Sequence, residues 1–236
     1  MIYFESKQTA PGYNLALETW LLETYRQEDV LYLWQNGPSV IIGSNQVAAN
    51  EVDLELAQRL RVPVVRRHTG GGAVYHDLGN LNFTWITRDT PASDRPYETF
   101  LAPLIRILRG LGIEAEFNGR NDLCVQGRKI SGSAARVRQD RLLHHGTLLV
   151  DCDLQTMERL LTPPAEKLAR NGVRSVKSRV ANLREFAPEL TVQKLKTAIC
   201  QEFQAGAAAP VPEVAEEAIA RLRREKFDNP AWNLYR

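Results

Sequence analysis

The sequence predicts an α+β protein, and three patterns carry that prediction. Two short apolar runs, Leu31-Tyr32-Leu33-Trp34 and Val40-Ile41-Ile42, flank the turn Asn36-Gly37-Pro38-Ser39 and read as a β-hairpin over 30–43. Residues 114–154 read as a meander of three or four strands, broken at Asn118-Gly119, Gln126-Gly127 and Gln139-Asp140. Set apart from these strands are stretches with helical spacing, such as Leu101, Leu104, Ile105, Leu108 and Leu111, which Gly112 ends. Grouped strands with separate helices are the α+β pattern.

Taken in order, a short first strand precedes a helix capped by Asn14 and running through Arg26, with Leu15, Leu17, Leu21 and Leu22 on its apolar face. Glu18 reads as a solvated first-turn carboxylate. After the hairpin, Asn50 caps a helix ending near Leu60. Val62, Val64 and Val65 form a β-branched strand, from which Arg66-Arg67-His68-Thr69-Gly70-Gly71-Gly72-Ala73-Val74 emerges as a loop. Extended structure resumes past Tyr75, with Leu81, Phe83 and Trp85 alternating with Asn82 and Thr84. A polar loop from Arg88 to Pro96 leads into the helix of residues 97–111. Beyond the meander, Asp153 caps a helix to about Leu161, the Pro163-Pro164 pair breaks it, and Ser175 to Leu183 carries Lys177 and Arg179. Thr191 caps a helix burying Val192, Leu195, Ile199 and Phe203. Residues 205–212, rich in alanine, glycine and proline, read as a linker to a last helix over 213–226.

Composition bounds the function. A net charge of +2 is too mild for a dedicated nucleic-acid binder, although basic clusters at 136–141, 174–179 and 221–226 leave room for an anionic ligand. Cys124, Cys152 and Cys200 lie far apart with no CxxC pair, an odd count that argues against a zinc cluster or a disulfide framework. The first residues lack the pattern of a signal peptide, and no apolar run reaches the roughly 18 residues of a membrane span. A cytoplasmic protein away from membranes is the expectation.

The richest chemistry lies in Arg66 to Asn80, which combines two arginines, three consecutive glycines and two histidines. Glycines let the backbone adopt φ > 0 and come close to a ligand, and arginine suits forked contacts with carboxylate or phosphate. Neither GxxxxGK[ST], GxGxxG nor GxSxG occurs. His68 and His76 sit eight apart on a loop, while the adjacent His144 and His145 point to opposite faces of a strand, a poor basis for a metal site. What remains is Arg67, the glycines, Asn121, Asp122 and Lys129: a fixed cation, backbone donors, an amide, a carboxylate able to hold Mg²⁺, and a mobile cation. In Lys129-Ile130-Ser131-Gly132-Ser133-Ala134 the small residues mark a strand that a ligand or backbone approaches closely. Spacing alone leaves a nucleotide or phosphate site and a purely structural glycine-rich loop equally open.

Several segments in the same order closely resemble the lipoate-protein ligase family: Asn14-Leu15-Ala16-Leu17-Glu18, Arg66 to Asn80, Gly119-Arg120-Asn121-Asp122-Leu123, Arg128 to Ala134, His144-His145-Gly146-Thr147-Leu148, and Ser178 to Leu183. The resemblance runs along the whole chain, so that residues 1–236 would be a single catalytic domain of the biotin and lipoate ligase fold, with mixed β-sheets flanked by helices. It implies activation of lipoate with ATP to lipoyl-AMP, followed by transfer of the lipoyl group to a lysine of an acceptor protein, a lipoyl domain or a glycine-cleavage H-like protein. By the same resemblance Lys129 is the catalytic residue and Asp122 the Mg²⁺ ligand. Arg67, Gly70, Gly71, Gly72, Ala73, Val74, His76, Asn80, Asn121, Ser133 and His145 would surround lipoyl-AMP and ATP, with His145 a possible base for the attacking amine. Family members that work alone carry an accessory C-terminal domain after a segment like Trp232-Asn233, where this chain stops. The expectation is therefore a large subunit acting with a separate small accessory subunit. The alternatives are a lipoyltransferase fed with preformed lipoyl-AMP, or an octanoyl or lipoyl transferase of the same fold using Cys124 or Cys152, both read as buried and inert.

Overall fold

The structure, a computed structural model, describes residues 1–88, 96–161 and 180–234. The Pro163-Pro164 break, Lys177, Arg179 and most of the 88–96 loop lie outside the described residues. The strands are β1 (Ile2–Glu5), β2 (Val30–Trp34), β3 (Ser39–Ile42), β4 (Val64–Arg66), β5 (Val74–His76), β6 (Asn80–Arg88), β7 (Glu116–Phe117), β8 (Asp122–Val125), β9 (Arg128–Arg138) and β10 (Arg141–Leu149). The helices are α1 (Pro11–Thr24), α2 (Ala48–Glu51), α3 (Leu54–Arg59), α4 (Pro96–Gly110), α5 (Leu154–Leu160), α6 (Val192–Glu202), α7 (Glu213–Leu222) and α8 (Pro230–Leu234).

These strands form a seven-stranded sheet in the order β1-β2-β6-β10-β9-β8-β7 and a three-stranded sheet in the order β4-β3-β5. Both are mixed: β1 runs parallel to β2 and β4 parallel to β3, while the other neighbours are antiparallel. The β7-to-β10 meander forms as its turn residues dictate, with positive φ at Gly119, Gln126, Gly127 and Gln139.

Side-chain alternation sorts the core into layers. Leu31, Leu33, Leu81, Phe83 and Leu148 face one side of the large sheet, where α4 and α6 cover them. Val30, Tyr32, Trp34, Ile86 and Leu143 face the other side and meet α1, α7 and Ile41 of the small sheet. Val40, Ile42 and Tyr75 turn outward from the small sheet toward Leu56, Ala57, Met157 and Leu160 of α3 and α5. The space between the two sheets is where the functional site forms.

Four sequence expectations are corrected. Residues 30–43 are not a hairpin: β2 pairs with β1 and β6, and β3 pairs with β4 and β5, so the Asn36-Gly37-Pro38-Ser39 turn crosses between sheets. Both strands are buried throughout, so their apolar runs carry no sign of which partner each takes. Asn14 does not cap α1, which starts at Pro11; it is fully buried within the helix, donating to Gln8 O, Gln35 O and Asn36 Oδ1 and accepting from the Tyr32 hydroxyl. Glu18 is not solvated but 5% exposed, because α1 is covered on nearly all sides. Asn50 caps nothing; it lies within α2, and Asp53 caps α3 by accepting from the Leu56 N–H. The caps at Asp153 and Thr191 form as expected. Residues 205–212 lie against the edge strand, where the Ala209 N–H donates to Tyr3 O at 2.7 Å.

Candidate active site

Between the sheets lies a cavity of about 580 Å³, counted to its open mouth. Its floor is a row across the large sheet: Trp34 on β2, Asn82 on β6, Thr147 on β10 and Gly132 on β9. Its roof is Leu15 of α1, Ile41 and Val74 of the small sheet, and the loop from Gly71 to Ala73. Strand parity explains the floor, since residues 82 and 84 of β6 and 145 and 147 of β10 share one face.

The glycine loop is fastened by its own arginines. Arg66 is fully buried and serves as a clamp. Its guanidinium donates to Gly43 O, Ser44 O, Gln46 O, Trp232 O and Asn233 O, while its backbone N–H donates to Asn233 Oδ1. Arg67 turns back on the loop it precedes, donating to Thr69 Oγ1, Ile41 O, Gly70 O and Gly72 O. Burial lowers its pKa to about 10, still well above neutrality, so the cation persists. Gly71 has φ of +91°, and an added Cβ would meet Arg67 Nη2 at 3.0 Å. Gly70 and Gly72 face open space. The middle glycine is thus required by the backbone, and the outer two leave room.

A buried chain ties this loop to the large sheet. Glu18 Oε1 accepts from Thr84 Oγ1 at 2.6 Å and meets His145 Nδ1 at 2.8 Å; His145 Nε2 meets Thr69 Oγ1, also at 2.8 Å. Carboxylate, imidazole and hydroxyl stand in the order of a hydrolytic triad. However, Thr69 is 2% exposed and its oxygen accepts from Arg67, so the hydroxyl is a fastener and not a nucleophile. Both His145 nitrogens are engaged, Nδ1 with Glu18 and Nε2 with Thr69.

At the mouth, Lys129 Nζ stands 2.9 Å from Asp122 Oδ1, without the alignment of a hydrogen bond. Gly132 makes this arrangement possible, because a Cβ there would meet Nζ at 2.8 Å. The positive head is therefore half-exposed and, among the described residues, held by a single carboxylate. Asn121 Nδ2 donates to Ser133 O, and Ser133 Oγ donates to Asn121 O, stitching β8 to β9 beside it.

The structure brings Lys129, Arg67, Gly71, Gly72, Ala73, Val74, His76, Asn121, Ser133 and His145 to the cavity wall. Gly70 and Asn80 do not line it: Gly70 O accepts from Arg67 and Asn80 Nδ2 donates to Asn82 Oδ1 two residues along β6, while Asp122 reaches the site through Lys129. Neither Cys124 nor Cys152 lines the cavity, and burial raises the pKa of both thiols. His68 packs against Phe227 and Trp232. No His, Cys, Asp and Glu grouping fit for a metal ion forms among the described residues.

Residues 10–204 match the family model described as the lipoyl protein ligase A/B catalytic domain. The chain belongs to that family. LplJ of Bacillus subtilis, a lipoate-protein ligase, is 38% identical over 231 residues, an alignment covering 94% of this chain and 70% of LplJ. Among solved structures, a chain of a bi-partite lipoate protein ligase system from Thermoplasma acidophilum superposes with a TM-score of 0.86 at 28% identity, covering 99% of this chain and 95% of that one. A lipoate-protein ligase A bound with ATP gives the same TM-score at 27% identity, with 99% and 97% covered. Within this ligase fold, sequence reasoning missed Leu15, Trp34, Ile41, Asn82 and Thr147 as cavity residues. The alternation of Asn82 and Thr84 with Leu81 and Phe83 was a usable signal, because polar residues on one face of a buried strand need a polar reason.

Proposed function

We propose that this chain activates lipoate with ATP and transfers the lipoyl group to a lysine of a lipoyl-domain acceptor. The observation that carries the reading is a half-exposed lysine, Lys129, lining a cavity between the sheets that it shares with Leu15, Trp34, Ile41 and Val74, in a member of a ligase family. In the first step a carboxylate oxygen of lipoate bonds to the α-phosphorus of ATP and pyrophosphate leaves. In the second the acceptor amine bonds to the carbonyl carbon and AMP leaves. Lys129 exchanges Asp122 for the ligand's carboxylate and phosphate oxygens, and stabilises charge that grows in both transition states. The glycine loop supplies backbone donors and a close wall, held in shape by Arg67 and the Thr69–His145–Glu18 chain.

Asp122 fits a Mg²⁺ role, because that ion takes one or two carboxylates and draws its remaining ligands from substrate phosphates and water. Bound there, Mg²⁺ would offset phosphate charge. In this reading the acceptor's proton goes to solvent or to a leaving phosphate oxygen.

The chain spans 95% of its bi-partite archaeal relative but 70% of LplJ. The bi-partite system of that archaeal relative supports, as part of this reading, a separate small subunit that completes the first half-reaction. The test is the mass shift of a lipoyl-domain acceptor incubated with this chain, ATP, Mg²⁺ and lipoate, with and without such a subunit. A shift of one lipoyl group supports the reading, and no shift in either case refutes it. Robust ATP–pyrophosphate exchange by the chain alone would refute the need for a second subunit. Modification from lipoyl-AMP but never from ATP and lipoate would favour the transferase reading.

A further inference from the structure

The far end of the cavity holds polar atoms that have no hydrogen-bond partner among the described residues. Trp34 pairs with Asn82, Asn82 pairs with Thr147, and the Thr147 hydroxyl accepts from the Gly132 N–H at 3.2 Å. Gly132 lies beneath the Lys129 head, so Asn82 is two strand steps away, roughly 10 Å at the usual strand spacing. That distance matches lipoate from its carboxylate to its ring. A ligand anchored at Lys129 therefore ends its chain at Asn82.

Two buried donors meet it there. Asn82 is 1% exposed; its Oδ1 accepts from Asn80 Nδ2, and its Nδ2 has no partner among the described residues. His76 is 3% exposed and takes the Asn36 Nδ2 hydrogen on Nδ1 at 3.0 Å, which puts its own proton on Nε2, also unpartnered among the described residues. Burial, then Arg67 and His145, depress the His76 pKa to about 3, so the ring stays neutral at physiological pH. Both side chains line the cavity, and the His76 ring stands edge-on to Trp34 at 6.0 Å. The surrounding Leu15, Ile41 and Val74 offer no acceptor.

A buried N–H left without a partner is costly, so the far end favours a ligand that brings an acceptor to that depth. A straight alkyl chain of the same length leaves both donors bare. We propose that Asn82 and His76 are specificity-determining residues that read the ring sulfurs of lipoate and so disfavour a plain fatty acid. This rests on the lipoate reading above. Sulfur is a weak acceptor, and the enclosure makes a weak bond count because water does not compete for it.

The test compares three acids by titration calorimetry on the full chain: lipoate, cyclopentylpentanoate, in which methylenes replace the ring sulfurs, and octanoate. Lipoate is expected to bind at least about tenfold tighter than either sulfur-free acid. Asn82→Leu, which keeps bulk and removes the donors, is expected to shrink that ratio toward one by weakening lipoate while sparing cyclopentylpentanoate. Equal affinities in the unaltered protein overturn the proposal without needing the variant, as does an unchanged ratio in a folded Asn82→Leu. Absence of binding by all three acids is a different result, which removes the lipoate reading and the proposal with it.

Discussion

At the scale of single residues, the site separates side chains that touch ligand from those that shape the wall. Lys129 belongs to the first group: among the described residues its head is held only by Asp122, and the pair is partly exposed, so it adds little to stability. Lys129→Met should lower the rate of lipoyl-AMP formation by about 10²–10³, as loss of a charge-stabilising donor does, with chemical unfolding shifted by less than about 1 kcal/mol. Rapid-quench measurement of the adenylate beside urea titration checks both halves, and a large stability loss would make Lys129 structural. The three glycines divide in the same way. Gly71→Ala forces a methyl into a positive-φ position against Arg67 and should destabilise by about 1–2 kcal/mol. Gly72→Ala meets no atom within 4 Å, so its methyl should leave unfolding unchanged and raise the KM for lipoate by intruding on the cavity. Matching effects from the two variants would contradict this division.

At the scale of elements, the glycine loop depends on α8, which sits far along the chain. Arg66 gathers carbonyls from the loop after β3 and from Trp232 and Asn233, while Trp232 Nε1 donates back to Arg66 O. Lysine is a point charge and cannot reproduce five contacts made by a planar fork. Arg66→Lys should therefore destabilise by about 3–5 kcal/mol by leaving buried carbonyls unpaired, read as a fall in the urea midpoint. A shift below about 1 kcal/mol would mean that α8 is not held by this clamp. Sequence made the loop visible and the clamp invisible. Adjacent arginines before glycines mark a ligand loop by local chemistry, whereas the use of Arg66 is fixed by carbonyls of another loop, at 43–46, and by residues more than 160 positions away. The same reason accounts for the misread hairpin. Turn residues specify that a chain reverses, as they did correctly at Gly119, Gln126 and Gln139. They do not specify whether two fully buried strands then pair with each other or enter different sheets.

At the scale of the whole molecule, burial has left three histidines neutral, and this sets how the fold responds to acid. Burial, followed by Lys226 and Arg136, lowers the His68 pKa to about 4; burial lowers His76 and His144 to about 3, with Arg67 and His145 respectively adding to it. In the unfolded chain each titrates near 6.5. Between pH 6.5 and 4 the unfolded state therefore binds protons that the folded state refuses, and stability falls as pH falls, by up to about 1.4 kcal/mol per pH unit for each histidine. His144 offers the cleanest reading. It lies against Phe83, Tyr97 and Phe100, on the sheet face opposite the cavity, and neither ring nitrogen has a partner among the described residues. His144→Phe removes a proton site and a desolvated polar ring without touching the active site. The variant should match or exceed the unaltered protein in stability at pH 7. Its advantage should grow by about 1 kcal/mol between pH 6 and pH 5, where carboxylates paired in the fold contribute little. Urea unfolding at pH 7, 6 and 5 measures the difference. Parallel pH profiles for the two proteins would show that His144 accepts its proton in the folded state, and the neutral, buried assignment would fall.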